Sequence, residues 1–192
     1  MSITDRRIRE RAQRHDLIIA AARDLAEAEG WEAVTTRRLA LLVEYSQPVL
    51  YSHFDGKDAI VRAVAIEGFA ELASQLHQAR SAVDEPGLAL RAVCAAYLTF
   101  AAARPALYQA MFVLPIDVKF ASEETPSPLK AAFGEVLAAL EPFDAHPEPR
   151  AEVAWAALHG LAVLRHGGRI PPEDQEARIN LLVSQMVNDR GG

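Results

Sequence analysis

Cysteine is nearly absent from this chain of 192 residues, since Cys94 stands alone. That excludes an internal disulfide framework and a thiolate metal cage, and leaves Cys94 as a small apolar helix residue. Long apolar runs are missing too: none approaches the ~18 residues that a membrane span requires. The opening stretch, MSITDRRIRERAQRHD, is charged from Asp5 onward and holds no apolar run of signal-peptide type, so a cytoplasmic location is expected. There is no sustained period-two alternation, which argues against strands. Familiar catalytic signatures are also missing: no Gly-rich phosphate loop, no Gly-x-Ser-x-Gly elbow, no carboxylate–histidine repeat of a di-iron bundle. An all-α enzyme is therefore the weaker alternative. His159 and His166 have no His-x-x-x-His or Glu-x-x-His companion, so neither a metal nor another cofactor is expected.

What is present is helix. Half of the residues are hydrophobic and the net charge is −6. The charge is unevenly spread, because residues 1–64 hold ten Arg/Lys against ten Asp/Glu and residues 65–192 hold ten against sixteen. The front is locally basic at its tip, where Arg6, Arg7, Arg9, Arg11 and Arg14 face only Asp5 and Glu10. This pattern is compatible with nucleic acid at the front and not at the back.

Prolines and glycines cut the chain into helical segments. Ile8, Ile18, Ala21, Ala22 and Leu25 make one helix face between Asp5 and Glu29, ending at Gly30. Thr35 or Thr36 can cap a short second helix carrying Leu39, Leu42 and Val43. From Lys57, Val61, Val64, Phe69, Leu72 and Leu76 define a long amphipathic helix. Further helices are expected over 86–103, 105–113, 127–140, 149–166 and 172–189, with LPIDVKFASEETPSP as an irregular surface loop. The fold class is all-α, with a three-helix N-terminal domain over 1–56 and a helical domain over 57–192.

The front three helices have helix-turn-helix spacing. The second ends near Val43, a turn of about three residues follows, and Ser46 opens a third. With Ser46 as N-cap, Gln47 is the first helical residue and Pro48 the second, where a missing N–H costs no intrahelical bond. The candidate DNA contacts are Thr36, Arg37, Ser46, Gln47, Pro48, Tyr51, His53 and Lys57. Ser46, Gln47 and Tyr51 offer hydroxyl or amide groups to phosphates and base edges. Lys57 adds charge at the start of a helix, and Arg37 with Arg38 can clamp the flanking backbone. For His53 a phosphate contact and a solvated position are equally open. Val49, Leu50 and Phe54 face inward.

The run GWEAVTTRRLALLVEYSQPVLYSHFDGKDAI resembles the N-terminal domain of TetR-family transcriptional regulators. Gly30, Trp31, Thr35, Leu39, Ala40, Ser46, Leu50, Tyr51, His53, Phe54 and Lys57 carry the likeness. One departure is that the family's turn glycine, after a small residue, is replaced here by Val43 and Glu44. A non-glycine there must accept a left-handed backbone, or the turn takes another shape. A second likeness, to the subgroup named for its Trp-His-Gly signature, rests on Trp155, His159 and Gly160.

The resemblance implies a repressor that binds operator DNA, dimerises, and senses a small molecule through its C-terminal helices. The candidate effector residues are Tyr97, Phe100, Tyr108, Met111, Phe112, Trp155 and His159, each of which also suits plain core packing. The helix over 152–164 is apolar nearly all round, and the final helix has a stripe of Ile179, Leu182, Val183, Met186 and Val187. A homodimer through these last two helices is expected, with no membrane partner. A DNA-independent helical adaptor is the remaining alternative, favoured only by Glu44 and the acidic body.

Overall fold

The computed structural model describes residues 3–120 and 122–188, and those residues form helices and connecting turns with no strand among them. In chain order the helices are α1 (Ile3–Glu29), α2 (Thr36–Leu42), α3 (Gln47–Tyr51), α4 (Lys57–Ser81), α5 (Pro86–Ala103), α6 (Pro105–Phe112), α7 (Ser127–Leu140), α8 (Glu148–His166) and α9 (Gln175–Asn188). A single 3-10 turn, Trp31–Ala33, follows α1. The all-α expectation holds. The final residue expected in the last helix, Asp189, lies outside the described residues.

Two compact units result. The first joins residues 1–68 with 106–118, and the second joins 69–105 with 119–192. The division expected from sequence at residue 56 follows the reading head alone, whereas the first unit also takes in the opening turns of α4 and most of α6.

In the first unit, α1 buries Ile18, Ile19, Ala22, Leu25 and Ala26, the i, i+4, i+7, i+8 face of a helix. Ile8 does not join them and is 63% exposed, because the first turns of α1 run beyond the core. Trp31, Leu39, Leu50, Phe54, Ile60 and Val64 are buried in the same unit. The Trp31 indole Nε1 donates to the Ala106 carbonyl at 2.8 Å, and the Glu27 carboxylate accepts from the Ala106 and Leu107 amides at 3.1 and 2.9 Å. One α1 carboxylate thus satisfies two of the orphan N–H groups that open α6.

In the second unit α5 is central, packing against α7, α8 and α9. This explains its composition. By length and apolarity α5 is the one helix among the described residues that would suit a membrane span, contrary to the expectation that no run comes near. Its Leu90, Val93, Cys94, Tyr97, Leu98 and Phe100 are buried among the neighbouring helices instead. Ion pairs and hydrogen bonds tie the periphery: Glu135 pairs with Arg80 (2.8 Å) and is hydrogen-bonded to His77 (3.0 Å), and Arg91 pairs with Glu176 and donates to the Asn180 side-chain oxygen. Burial pushes the Cys94 thiol up to about 12.

Candidate nucleic-acid interface

The reading head is built from α2, the turn, and α3. Thr35 caps α2, its hydroxyl accepting from the Arg38 amide at 3.2 Å. The helix then ends at Val43, and Glu44 takes a left-handed conformation with φ 56°. The Glu44 amide donates to the Leu41 carbonyl (3.3 Å) and the Tyr45 amide to the Ala40 carbonyl (2.9 Å). These are the two bonds of a Schellman C-cap, whose left-handed residue is usually glycine. The turn therefore keeps the glycine-type shape despite the glutamate, and the side chain of Glu44 is exposed.

Ser46 stands at the N-cap of α3 with extended backbone (φ −73°, ψ 153°), and a proline occupies the helix's first turn. The Ser46 side chain makes no capping hydrogen bond. Its hydroxyl is thus not consumed by the helix. Ser46, Gln47, Pro48 and Tyr51 are all exposed, whereas Leu50 and Phe54 are buried as expected. The Tyr51 hydroxyl lies 3.5 Å from Thr36 Oγ1. That contact joins the end of α3 to the start of α2, where half-buried Thr36 precedes exposed Arg37.

Three cations expected at this surface have different fates. Arg37 is exposed. Arg38 is engaged by Glu29 through two hydrogen bonds of 2.8 and 2.7 Å. Those bonds hold the Glu29 carboxyl below the usual carboxylate range. Lys57 is half-buried, with Nζ 2.5 Å from the Trp31 carbonyl. The sequence offered no sign of either pairing, since each depends on a residue brought close by the fold.

His53 is half-buried at the edge of this surface. Its ring centroid lies 6.3 Å from that of His15, which stacks on Phe54 at 4.5 Å. Partial burial, then the charges of Arg11, His15 and Arg14, make His53 harder to protonate than an ordinary imidazole. Arg11 itself donates from Nη2 to the Ser52 carbonyl at 2.8 Å. A cation on the carbonyl end of α3 is favourable. The arginine-rich tip is helical, being part of α1.

The candidate effector residues fall in both units. Tyr108, Met111 and Phe112 belong to α6 in the first, with Tyr108 and Phe112 ring centroids 4.7 Å apart. Tyr97, Phe100, Trp155 and His159 belong to the second. There the Trp155 indole donates to the Tyr97 hydroxyl at 3.1 Å, and Phe133 meets the Trp155 ring edge-on at 6.0 Å. His159, one turn along α8, is half-buried, and burial lowers its readiness to take a proton. Among the described residues no cluster of three or more His, Cys, Asp or Glu could hold a metal ion.

The last two helices present apolar side chains outward. Val153, Val163 and Leu164 of α8 and Leu181 of α9 are 59, 40, 38 and 60% exposed. On α9, Ile179, Leu182 and Met186 of the expected stripe turn into the unit's own core. An open cleft of about 890 Å³ beside Val153 is walled by Asp144, Arg150, Gln185 and Met186.

Comparison with known proteins agrees with this geometry. The family model for bacterial regulatory proteins of the tetR family matches residues 18–64, and that for the tetracyclin repressor-like C-terminal domain matches residues 90–186, half of the chain. An uncharacterized HTH-type transcriptional regulator of Mycobacterium tuberculosis, Rv0681, is 27% identical over 88% of this chain and 78% of its own length. Among solved structures, a protein of unknown function from Rhodococcus sp. RHA1 is 22% identical, with a TM-score of 0.75 over 91% of this chain and 93% of its own. A TetR variant from Acinetobacter baumannii in complex with minocycline is also 22% identical, with a TM-score of 0.61 over 91% and 97%. The chain belongs to the TetR family of transcriptional regulators, as a DNA-binding helix-turn-helix protein and not an enzyme.

Proposed function

We propose that this regulator is a homodimeric repressor that leaves a palindromic operator when a small apolar or aromatic molecule binds its helical C-terminal part. The observation that carries the DNA half is the exposure of Arg37, Ser46, Gln47, Pro48 and Tyr51 on α2 and α3, with half-buried Thr36 linking the two helices through its contact with Tyr51. Ser46, Gln47 and Tyr51 meet phosphates and base edges, Arg37 the flanking backbone, and His53 and Lys57 its margin. Residues 1–56 act as the reading domain and 57–192 as the sensing and dimerising one, in the cytoplasm where the DNA is.

Dimerisation is supported by the outward apolar side chains of α8 and α9, which a two-fold partner would cover in a four-helix interface. Two α3 helices set ~34 Å apart match successive major grooves of a palindrome. Effector binding is supported by the Tyr97–Trp155 pair inside the second unit, two aromatic rings with a polar handle, with His159 one turn further along α8. Phe100 and, on α6, Tyr108, Met111 and Phe112 are the further candidates. The TetR variant from Acinetobacter baumannii, which shares this fold, is itself in complex with minocycline. Helix α4, continuous from Lys57 to Ser81, is the element that would carry the response to the reading head.

The test is fluorescence anisotropy with duplex DNA flanking the protein's own gene against random duplex, followed by titration of aromatic compounds. An inducer must weaken operator binding by the same factor by which operator DNA weakens its own binding, typically ~1–3 kcal/mol of coupling. A compound whose affinity ignores operator DNA is not the inducer. Equal affinity for flanking and random duplexes, and for any duplex recovered by selection from a random pool, would remove the operator-specific reading altogether.

A further inference from the structure

We propose that Arg7, Arg11 and Arg14 form a phosphate-binding ridge along the side of α1, carrying the DNA contact past the helix-turn-helix onto the flanking backbone. The inference rests on α3 being the element that meets DNA. Spacings of four and three residues place these side chains on one stripe of the helix. That stripe adjoins the reading head, since Arg11 donates to the Ser52 carbonyl, next to Tyr51. Arg14 lies close enough to His53 for its charge to be felt there, as does Arg11.

The other two arginines of the tip are occupied within α1. Arg6 pairs with Glu10 at 3.3 Å, and Arg9 Nε donates to the Asp5 carbonyl at 3.4 Å. Arg7 and Arg14, both exposed, have no hydrogen-bonding or acidic partner among the described residues. Only Asp5 supplies negative charge in the first turn of α1, and residues 4–9 are all exposed. Cations near a helix N-terminus oppose its dipole, and this end is not held by burial. A phosphate backbone running past the head supplies the anions that the helix lacks. The ridge reads no bases: guanidinium contacts to phosphate position a protein and add sequence-independent affinity.

The experiment compares the full-length protein with Arg7→Ala/Arg14→Ala, and with Arg6→Ala/Arg9→Ala as a charge-matched control on the same helix. Each is titrated into a 30-base-pair duplex recovered by selection with the wild type, and into a random duplex of equal length, from 0.05 to 0.2 M salt. The Arg7/Arg14 variant is expected to show a slope of log affinity against log salt shallower by about 2 per protomer, or roughly tenfold less affinity lost across that range. It should keep the wild type's preference for the selected duplex and its melting temperature. Arg7→Lys/Arg14→Lys should restore most of the slope. An unchanged slope in the Arg7/Arg14 variant overturns the ridge, as does an equal loss in the Arg6/Arg9 control. Failure of the wild type itself to prefer the selected duplex would instead overturn the reading of α3 on which the ridge depends.

Discussion

The Tyr45 amide donates across 2.9 Å to the Ala40 carbonyl, closing α2 around a left-handed Glu44. A side chain at this conformation costs roughly 1–2 kcal/mol, because Cβ crowds the following carbonyl. Glu44→Gly relieves that crowding, and the more flexible unfolded chain offsets part of the gain. The substitution should stabilise the head by about 0.5–1 kcal/mol in a chemical unfolding series. Glu44→Ala separates strain from charge, since it removes the carboxylate and keeps the strained backbone. If both variants bind duplex DNA more tightly at low salt and only glycine adds stability, each effect has its assigned cause. Equal stability gains would remove backbone strain from the account.

Gly68 marks a close approach of a different kind. A Cβ there would lie 2.7 Å from Met111 Sδ and 2.8 Å from Leu107 Cδ1, inside van der Waals contact with two side chains of α6 at once. Alanine's better helix propensity gains at most ~1 kcal/mol, whereas overpacking costs typically 1–3. Gly68→Ala should therefore destabilise the protein by about 1 kcal/mol. Met111→Val in the same chain should recover part of that loss, read as a positive coupling in a double-mutant cycle of thermal melts. Strict additivity would show that α6 moves aside freely.

Much of this fold was legible because its signals are local. Pro86, Pro105 and the Ser127–Pro128 pair open helices α5, α6 and α7 at the residues where the sequence places them. Pro48 likewise belongs to the first turn of α3, as the unneeded N–H of that turn suggests. What escaped the sequence depends on distant neighbours. Glu27 caps a helix some eighty residues later, and nothing in DLAEAEG distinguishes it from a solvated glutamate. Arg38 and Arg37 look alike in TTRRLA, yet only the former meets Glu29. The α9 stripe reads correctly as amphipathic, but periodicity cannot say whether a face meets its own core or a partner. Burial of Ile179, Leu182 and Met186 answers that for the monomer.

His53 and His159 give the protein a predictable acid response, each within its own unit. Both are harder to protonate when folded, His53 through partial burial and then nearby cations, His159 through burial. Above the ordinary imidazole value of about 6.5 neither state carries the proton, so neither group alters stability. As pH falls below that value the unfolded chain takes up protons that the folded chain still refuses, and stability declines. The decline levels off once the folded groups are protonated. Melting temperature should therefore fall between pH 7 and pH 5.5, and His53→Gln with His159→Gln should flatten that descent. A wild-type profile that is already flat, or one that rises toward acid, contradicts the shifts.

Tyr51 offers the cleanest separation of reading from folding. It is 53% exposed, and among the described residues its hydroxyl reaches only Thr36, at the outer limit of a hydrogen bond. Leu50, the preceding residue, is buried to 1%. Tyr51→Phe keeps the ring and its packing while deleting one hydroxyl, so thermal stability should be nearly unchanged. If that hydroxyl donates to a phosphate, its loss should cost about 1 kcal/mol per protomer, roughly fivefold in affinity. The weakening should be similar for every duplex sequence, as phosphate contacts carry no base information. Leu50→Ala is the contrasting change: a buried leucine truncation costs 2–5 kcal/mol and should abolish binding by melting the head. Undiminished affinity in Tyr51→Phe would take Tyr51 off the contact surface and leave Ser46, Gln47 and Arg37 to carry it. A loss confined to one duplex sequence would move the hydroxyl from the backbone to a base edge.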